Sequence, residues 1–519
     1  MSTRLRLLAS CASGVSLAFA FAPYDIGLLA WVALSLLIGA AWDSRPALAF
    51  FCGWLHGVAF FAVSVPWIYT VMHVHGGMDA PLAAAVFVLL IMVLSVCPGL
   101  FALALSWCGR RSLTHACLAA PFLWVVSEIL RRYELGLGFP WNLLGYAASV
   151  HLGLMQLASI TGVYGLSFVL AASNALAAWV LLTRTRTAWL TGVISAAIIL
   201  SAVLVGDQFV PLEHADYEAV LLQTNFPQVM TYPSDWLDRH ANELDELEAL
   251  SLDAERRTHS MVIWPESPAP FYWQDPRFAA RLSRLALTMA NNLIVGVVDW
   301  KPGPDNKLEP YNSAILVDPA GHRVFSYDKV ELVPFGEFIP WRHWITFANS
   351  IIPDIGDFHA GHQFSVGDLP GGRFSIFICY ESVIPDAVRQ FARRGARLFI
   401  NLSNDGWFGH SAALEQHLAQ VRVRAVENRR WILRATNTGI TASIGPYGRI
   451  VAALQPDRRA VLIAPYDFRD DLTIYTRFGD WLVWLSCVIS LWFLIYSGPR
   501  QEEDDEVVVD ELPVPVPTI

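Results

Sequence analysis

Eight stretches of this chain carry no charged side chain at all, and they constrain its fold more than any other feature. They are 7–24, 26–42, 46–78, 80–109, 112–127, 135–183, 187–206 and 481–499. A helix needs roughly 20 apolar residues to cross a bilayer, with about 17 to 25 tolerated. One helix per run, with the one in 135–183 placed near 160–183, predicts eight membrane spans, of which the first, second and fifth are short. Only 16% of the 519 residues are charged, against about 25% in an average soluble domain. Disorder, a collagen-like fibre and a small disulfide scaffold are excluded by the same numbers.

Residues 1–205 hold nine Arg, no Lys and five acidic residues, so the few cations set the orientation. Arg4 and Arg6, Arg45, Arg110 and Arg111, Arg184 and Arg186, and Arg500 all fall on one side if the spans alternate. Only Arg131 and Arg132 fall on the other. Both termini are therefore expected in the cytoplasm, with the block 207–480 facing outward. A cleaved signal peptide over residues 1–22, ending near Ala18-Phe19-Ala20, is a competing reading that leaves this orientation unchanged.

The expected domains are a seven-helix membrane part over 1–206, an outward block at 207–480, an eighth span at 481–499 and an acidic cytoplasmic tail at 500–519. The tail (RQEEDDEVVVDELPVPVPTI) has the composition of a disordered segment. Within the outward block, strands are expected at 218–223, 261–264, 293–298, 313–317, 374–378, 397–402 and 440–444. Helices are expected at 234–257, 276–291, 385–395 and 412–430. That exchange of strands with helices predicts an α/β layered domain.

Six of the seven cysteines lie in the apolar runs, where a thiol behaves as a small apolar group. Cys379 has no partner for a disulfide in the outward block, so it is either a buried core residue or a reactive one. It ends the strand FSIFI just before a helix opened by Pro385, a turn of the kind that presents nucleophiles. Lysine is rare: Lys301, Lys307 and Lys329 are all there are. The first two sit in a Pro/Gly/Asp-rich loop and read as surface residues. Lys329, in SYDKVELVPFGEFIP, could present a compact positive charge to an oxyanion. Glu266, in VIWPESPAP, directly follows a strand, and a partly buried carboxylate there could take a thiol's proton. Each residue has a bland reading, core cysteine, surface lysine or loop glutamate, and spacing alone does not prove that they meet. His410 and His417 flank Glu415 without a zinc spacing, so no metal or other cofactor is expected. There is no phosphate-cradling glycine loop, nothing points to nucleic acid, and Asn401-Leu402-Ser403 matches a glycosylation acceptor inside a buried-looking strand.

IWPES at 263–267, YDKVELVPFGEFIP at 327–340 and ICYESVIPD at 378–386 resemble the Glu–Lys–Cys signatures of the nitrilase superfamily. With the apolar spans, the chain resembles the apolipoprotein N-acyltransferase family. NLSNDGWFG at 401–409, QHLAQVRVRAVENRR at 416–430, RATNTGITASIGPYGRI at 434–450, WVVSEILRR around Glu128 and Arg131, and GFPWNLLGY at 138–146 are also similar to it. The resemblance implies a nitrilase-like αββα sandwich inserted between transmembrane helices seven and eight of an eight-helix membrane domain. It implies Glu266 as general base and acid, Lys329 at the oxyanion and Cys379 as nucleophile, supported by Glu337, Tyr380 and Glu381. The backbone N–H of Tyr380 would share the oxyanion. A phospholipid acyl donor, a diacylglyceryl-apolipoprotein acceptor, a bacterial inner-membrane location and a monomer are implied as well.

Both substrates being lipids, the stretch 338–358, with Trp341 and Trp344, is expected to rest on the membrane interface, a core segment being the alternative. Phe271, Tyr272 and Trp273 are expected at the same mouth. QTNFPQVMTYPSD departs from the family where Thr231-Tyr232 replaces a Lys-Trp pair, leaving Tyr232 as the aromatic residue there. Two rival functions stay open on the sequence. One is a membrane-tethered carbon–nitrogen hydrolase acting on a small substrate. The other is a non-catalytic scaffold or transporter, which the scarcity of charge within the spans disfavours.

Overall fold

A computed structural model describes residues 1–133, 138–229, 233–258, 260–303, 306–340 and 358–497. The first part is helical: α1 (Thr3–Ala18), α2 (Leu34–Ala41), α3 (Pro46–Ser64), α4 (Ala80–Leu94), α5 (Val96–Gly109), α6 (Leu113–Tyr133), α7 (Val163–Thr183) and α8 (Arg186–Gly206). Five described helices are long and apolar enough to cross a membrane: Pro46–Ser64, Ala80–Gly109, Leu113–Tyr133, Val163–Thr183 and Arg186–Phe209. Gly27–Ala41 and Trp481–Tyr496 are apolar but shorter. Local chemistry sets the ends. Pro46 opens α3 at its first turn, where its missing N–H costs nothing. The Thr185 hydroxyl caps α8 by accepting from the Ala188 N–H. The charge-free run 135–183 is not one helix. Phe139, Pro140 and Trp141 enter a loop whose Trp141 is buried, and the long helix begins only at Val163.

The second part holds β1 (Tyr217–Gln223), α9 (Ala241–Thr258), β2 (Val262–Ile263), α10 (Pro276–Met289), β3 (Leu293–Pro302), β4 (Leu308–Val317), β5 (Arg323–Asp328), β6 (Gly367–Leu369) and β7 (Gly372–Ile378). It continues with α11 (Pro385–Arg393), β8 (Leu398–Ser403), α12 (Ala413–Asn428), β9 (Ile432–Thr436), β10 (Ala442–Ile444), β11 (Ile450–Ala453) and β12 (Ala460–Tyr466). α13 (Trp481–Tyr496) follows. Among the described residues two six-stranded mixed sheets form, in the orders β12-β1-β2-β3-β4-β5 and β11-β10-β9-β8-β7-β6. The central pairs β1–β2, β2–β3, β7–β8 and β8–β9 are parallel. Ala219, Leu221, Ile263 and Ile294 of the first sheet share an apolar cluster with Phe374, Ile376, Ile400 and Leu433 of the second. The intervening residues Val220, Leu222, Val262 and Val295 pack instead with Leu244 and Leu247 of α9 and Phe278 and Leu282 of α10. Burial on both faces is why these strands read as continuous apolar runs.

All the expected strands form, but β5, β6, β9, β11 and β12 lie outside the sequence reading. β5 and β9 carry Arg323 and Arg434, which masked their apolar pattern. β12 contains Pro465, tolerated because β12 is an edge strand. The helix expected over 234–257 is broken at His240 into Trp236–Arg239 and α9. The two parts of the chain touch through directed bonds: the Tyr380 hydroxyl donates to the Gly138 carbonyl at 2.6 Å, and the Val163 N–H donates to Glu427 Oε1 at 2.9 Å.

Candidate active site

The ends of four strands, β2, β5, β7 and β8, meet where the sheets face each other. Beyond β2, Trp264 stays in register through its N–H to Ile294 O at 2.8 Å, and the chain turns at Pro265 to present Glu266. Gly296 lies against this turn. A Cβ there would stand 2.4 Å from Pro265 O and 2.6 Å from the Glu266 Cα, so glycine is required by close approach. Lys329 follows β5, tied by its N–H to the Asn312 carbonyl at 2.9 Å. Its ammonium sits 3.7 Å from Glu266 Oε1 and 2.9 Å from Glu337. Cys379 follows β7, opening a 3-10 turn over Cys379–Val383 with φ of +48°, a left-handed conformation that non-glycine residues rarely take.

Neutral amides hold the carboxylates. Asn312 Nδ2 donates to Glu266 Oε1 and to Glu337 Oε1, each at 2.7 Å. The Asn404 backbone N–H donates to Glu266 Oε2 at 2.6 Å. Glu337 Oε2 accepts from the Val333 N–H at 2.8 Å. Glu381, two residues past Cys379, clamps the strand that precedes Lys329 to the Cys379 turn. Its Oε1 accepts from the Tyr327 hydroxyl at 2.6 Å and the Val330 N–H at 2.8 Å, and its Oε2 from the Ile378 N–H at 2.7 Å.

Burial and charge decide the protonation states. Burial raises the Glu266 carboxyl above its ordinary value, a rise that Lys329 opposes and Glu337 reinforces. Burial opposes the charge on Lys329, but Glu337 and Glu266 outweigh it and hold the ammonium above its ordinary value. The Cys379 thiol is pushed well up by burial and by the Glu266 charge, with Lys329 pulling the other way. Burial also pushes Glu381 up to about 7, against the pull of its donors. The resting site is therefore a neutral thiol in electrostatic reach of an ammonium and of a carboxylate with increased proton affinity.

Beneath Cys379 lies a buried network. The Cys379 carbonyl accepts from the Ser382 hydroxyl at 2.9 Å and lies 3.2 Å from His417 Nε2. His417 Nδ1 lies 3.0 Å from Asp405 Oδ1, and Arg434 Nη2 lies 2.5 Å from Asp405 Oδ2. Sequence reasoning noticed His417 only as a weak metal candidate and missed Asn312, Asn404, Asp405 and Arg434. His410 does not join it: it is exposed and pairs with Asp457 at 3.0 Å. Among the described residues, the exposed His214 and Asp216 and the half-buried Asp467 form one group of metal-ligand type, remote in sequence from every residue of the site.

Glu266, Lys329, Cys379, Glu337, Tyr380 and Glu381 are thus gathered in one place. Lys301 is not a loose surface residue; it closes β3 and grips Asp328, the neighbour of Lys329, at 2.6 Å. Phe271 is not at a mouth either, being stacked on Phe278 in the core with ring centroids 4.6 Å apart. Tyr272 is partly exposed. Tyr232, Trp341 and Trp344 lie outside the described residues, as do most of 338–358 and the acidic tail.

Residues 13–176 match the family model of the apolipoprotein N-acyltransferase N-terminal domain, and residues 228–470 match that of carbon-nitrogen hydrolase. The apolipoprotein N-acyltransferase of Geobacter metallireducens is 34% identical over 92% of this chain and 92% of its own length. That of Methylococcus capsulatus is 32% identical over 92% of this chain and 93% of its own, and that of Vibrio parahaemolyticus 32% over 96% and 98%. Among solved structures, an amidase of the nitrilase superfamily from Nesterenkonia is 21% identical over 52% of this chain and 95% of its own, with a TM-score of 0.38.

Proposed function

The chain belongs to the apolipoprotein N-acyltransferase family, and from that premise we propose how it N-acylates lipoproteins. A phospholipid supplies the acyl chain, Cys379 carries it as a thioester, and the α-amine of an N-terminal diacylglyceryl-cysteine receives it. The observation that carries this reading is the meeting of Glu266, Lys329 and Cys379 at buried strand ends, the carboxylate 3.7 Å from the ammonium and the thiol on a left-handed turn.

In the first half-reaction Glu266 takes the Cys379 proton and the thiolate attacks the ester carbonyl of the donor. The oxyanion is met by Lys329 and by the Tyr380 N–H, which as the second residue of a 3-10 turn has no acceptor within that turn. Glu266 returns the proton to the departing glyceryl oxygen, and a lysophospholipid leaves. In the second, the acceptor amine attacks the thioester, its proton passes to Glu266 and on to the Cys379 sulfur, and an amide forms. Glu337 and Asn312 orient Lys329 and Glu266, and Glu381 keeps the two halves of the site together. Residues 207–480 stand on the outer side of the inner membrane, between the seventh and eighth of eight helices, with both termini cytoplasmic. The arginine distribution and the position of α13 directly after the α/β part support that arrangement.

Intact-protein mass spectrometry after incubation with phosphatidylethanolamine and no acceptor tests the reading. The expected result is a mass gain of one acyl chain, removed by hydroxylamine and missing in Cys379→Ala. A diacylated lipopeptide should then discharge it as an N-acyl product. Discharge to free fatty acid instead would establish a hydrolase.

A further inference from the structure

One glutamine makes every hydrogen bond its amide can form, and all four run from the α/β part to the helical part. Gln416, on the first turn of α12 and 3% exposed, accepts at Oε1 from the indole N–H of Trp141 at 2.8 Å and of Trp67 at 3.3 Å. Its Nε2 donates to the carbonyls of Ala22 and Ser64, each at 2.9 Å. A primary amide has two donor hydrogens and two acceptor lone pairs, so the set is complete. The partners belong to three separate stretches: the chain after α1, the end of α3 with the residues just beyond it, and the loop after α6. Around them Trp67 and Trp141 lie 5.0 Å apart, and Phe408 packs on both.

The next residue, its ring packed on Trp141 with centroids 5.6 Å apart, reaches the turn at Cys379. His417 lies 3.2 Å from the Cys379 carbonyl and 2.7 Å from the Ser382 hydroxyl. Successive residues on a helix point about 100° apart, so one turn of α12 hydrogen-bonds the helical part with one side chain and the nucleophile turn with the next. Apolar contact between the two parts is non-directional. The four-point amide contact is directional, and it adds to single bonds such as that of the Tyr380 hydroxyl to the Gly138 carbonyl.

We propose that Gln416 is a positioning residue for the lipid half-reaction. It fixes the nucleophile turn at a set height over the helix ends without taking part in the chemistry, which falls to the residues around Cys379. The inference rests on the phospholipid-donor reading above. An ester carbonyl anchored in a bilayer sits at a fixed depth and cannot follow a displaced thiol, and misplacement by about 1 Å can cost up to about 100-fold in rate. A small soluble ester finds the thiol wherever it is.

The test compares two acyl donors on the full chain. In phosphatidylethanolamine nanodiscs, thioester formation on Cys379 is followed by intact mass. In nanodiscs of the ether-linked lipid, which has no ester to give, acylation by p-nitrophenyl butyrate is followed by the nitrophenolate burst. Gln416→Met should slow the bilayer reaction at least about tenfold while the soluble reaction stays within about twofold. Trp141→Phe, which keeps an aromatic ring but removes the indole donor, should show the same selectivity in milder form and covers the case that Gln416→Met does not fold. His417→Ala, which frees the Cys379 carbonyl, should slow both reactions. Equal losses with both donors for Gln416→Met and Trp141→Phe, or no loss with phospholipid, would overturn the proposal. A native chain that reacts with the soluble ester but never with phospholipid would instead remove the donor assignment, and this inference with it.

Discussion

Asn312 offers the sharpest check on the proposed role of Glu266 as a base. Its side-chain amide gives one hydrogen bond to Glu266 and one to Glu337, both at 2.7 Å, and its carbonyl holds the Lys329 backbone. Asn312→Ala leaves the backbone contact and removes both donors. A hydrogen bond to a charged group contributes about 1.5–3 kcal/mol, and a tenfold change corresponds to about 1.4 kcal/mol. The bond stabilises the ionised form of Glu266, so its loss raises the proton affinity of the base further. The acid limb of kcat/KM for lipopeptide N-acylation should therefore move to higher pH, with about 10- to 150-fold less activity on that limb and partial recovery as the pH rises. Glu337→Gln should act in the opposite sense, because it removes a negative charge that also holds the Glu266 proton. Its acid limb should move to lower pH, and the double variant should fall between. The assay is kcat/KM from about pH 5 to about pH 9 for the three variants and the native chain. An Asn312→Ala limb that stays in place or moves down would refute the assignment of Glu266 as the titrating base.

Gly296→Ala should destabilise the fold by about 1–3 kcal/mol through overpacking against Pro265 and Glu266. Activity should fall further than melting temperature alone explains, since the added methyl pushes on the base; equal activity per folded molecule would contradict this. Asp405 governs acid stability. Burial disfavours its charge, but Arg434 and then His417 outweigh burial and hold its carboxyl well below the ordinary value. The native state thus binds this proton less readily than the unfolded chain. The contribution is complete above the ordinary carboxylate pKa and is lost as pH falls through the lowered native one. Asp405→Asn should cost about 3–5 kcal/mol near neutrality by leaving Arg434 buried without its partner. Melting temperatures measured against pH should also fall less steeply in acid for the variant.

The charged half of this site was legible because each residue has an unusual setting in one dimension. Cys379 is the lone cysteine of its block, Lys329 one of three lysines, and Glu266 a carboxylate at the end of an apolar strand. The neutral half was not. Asn312 stands one residue before the stretch that reads as a strand, and its place beside Lys329 comes from the pairing of Ser313 with Asp328 across β4 and β5. β5 alternates too many polar residues to show as a strand, so the register that makes the contact was invisible. Asp405, His417 and Arg434 are brought together by parallel pairing of β8 with β9 and by the packing of α12, which no periodicity encodes. The membrane helices show the converse. Absence of charge located the apolar runs, but it could not tell a helix from the buried loop at Phe139–Trp141, because both exclude charge for the same reason.

Charge conservation explains how so buried a site can work. Glu266, Glu337 and Lys329 together carry one negative charge beside a neutral Cys379. In the proposed first step the thiol proton moves to Glu266, the total is unchanged, and the charge has moved to the sulfur. No step of that transfer asks solvent to stabilise a new ion, so burial, which penalises an isolated thiolate heavily, penalises this exchange far less. In the proposed attack by the thiolate the same single charge moves again, to the carbonyl oxygen, and Lys329 remains paired throughout. Burial also serves the choice between transfer and hydrolysis. A thioester waiting for a lipoprotein survives only if water reaches it slowly, and Cys379 is 8% exposed. A drier site strengthens the electrostatic pairing and protects the intermediate at once, so the feature that raises the resting thiol's pKa is the one that lets the acyl chain wait for an amine.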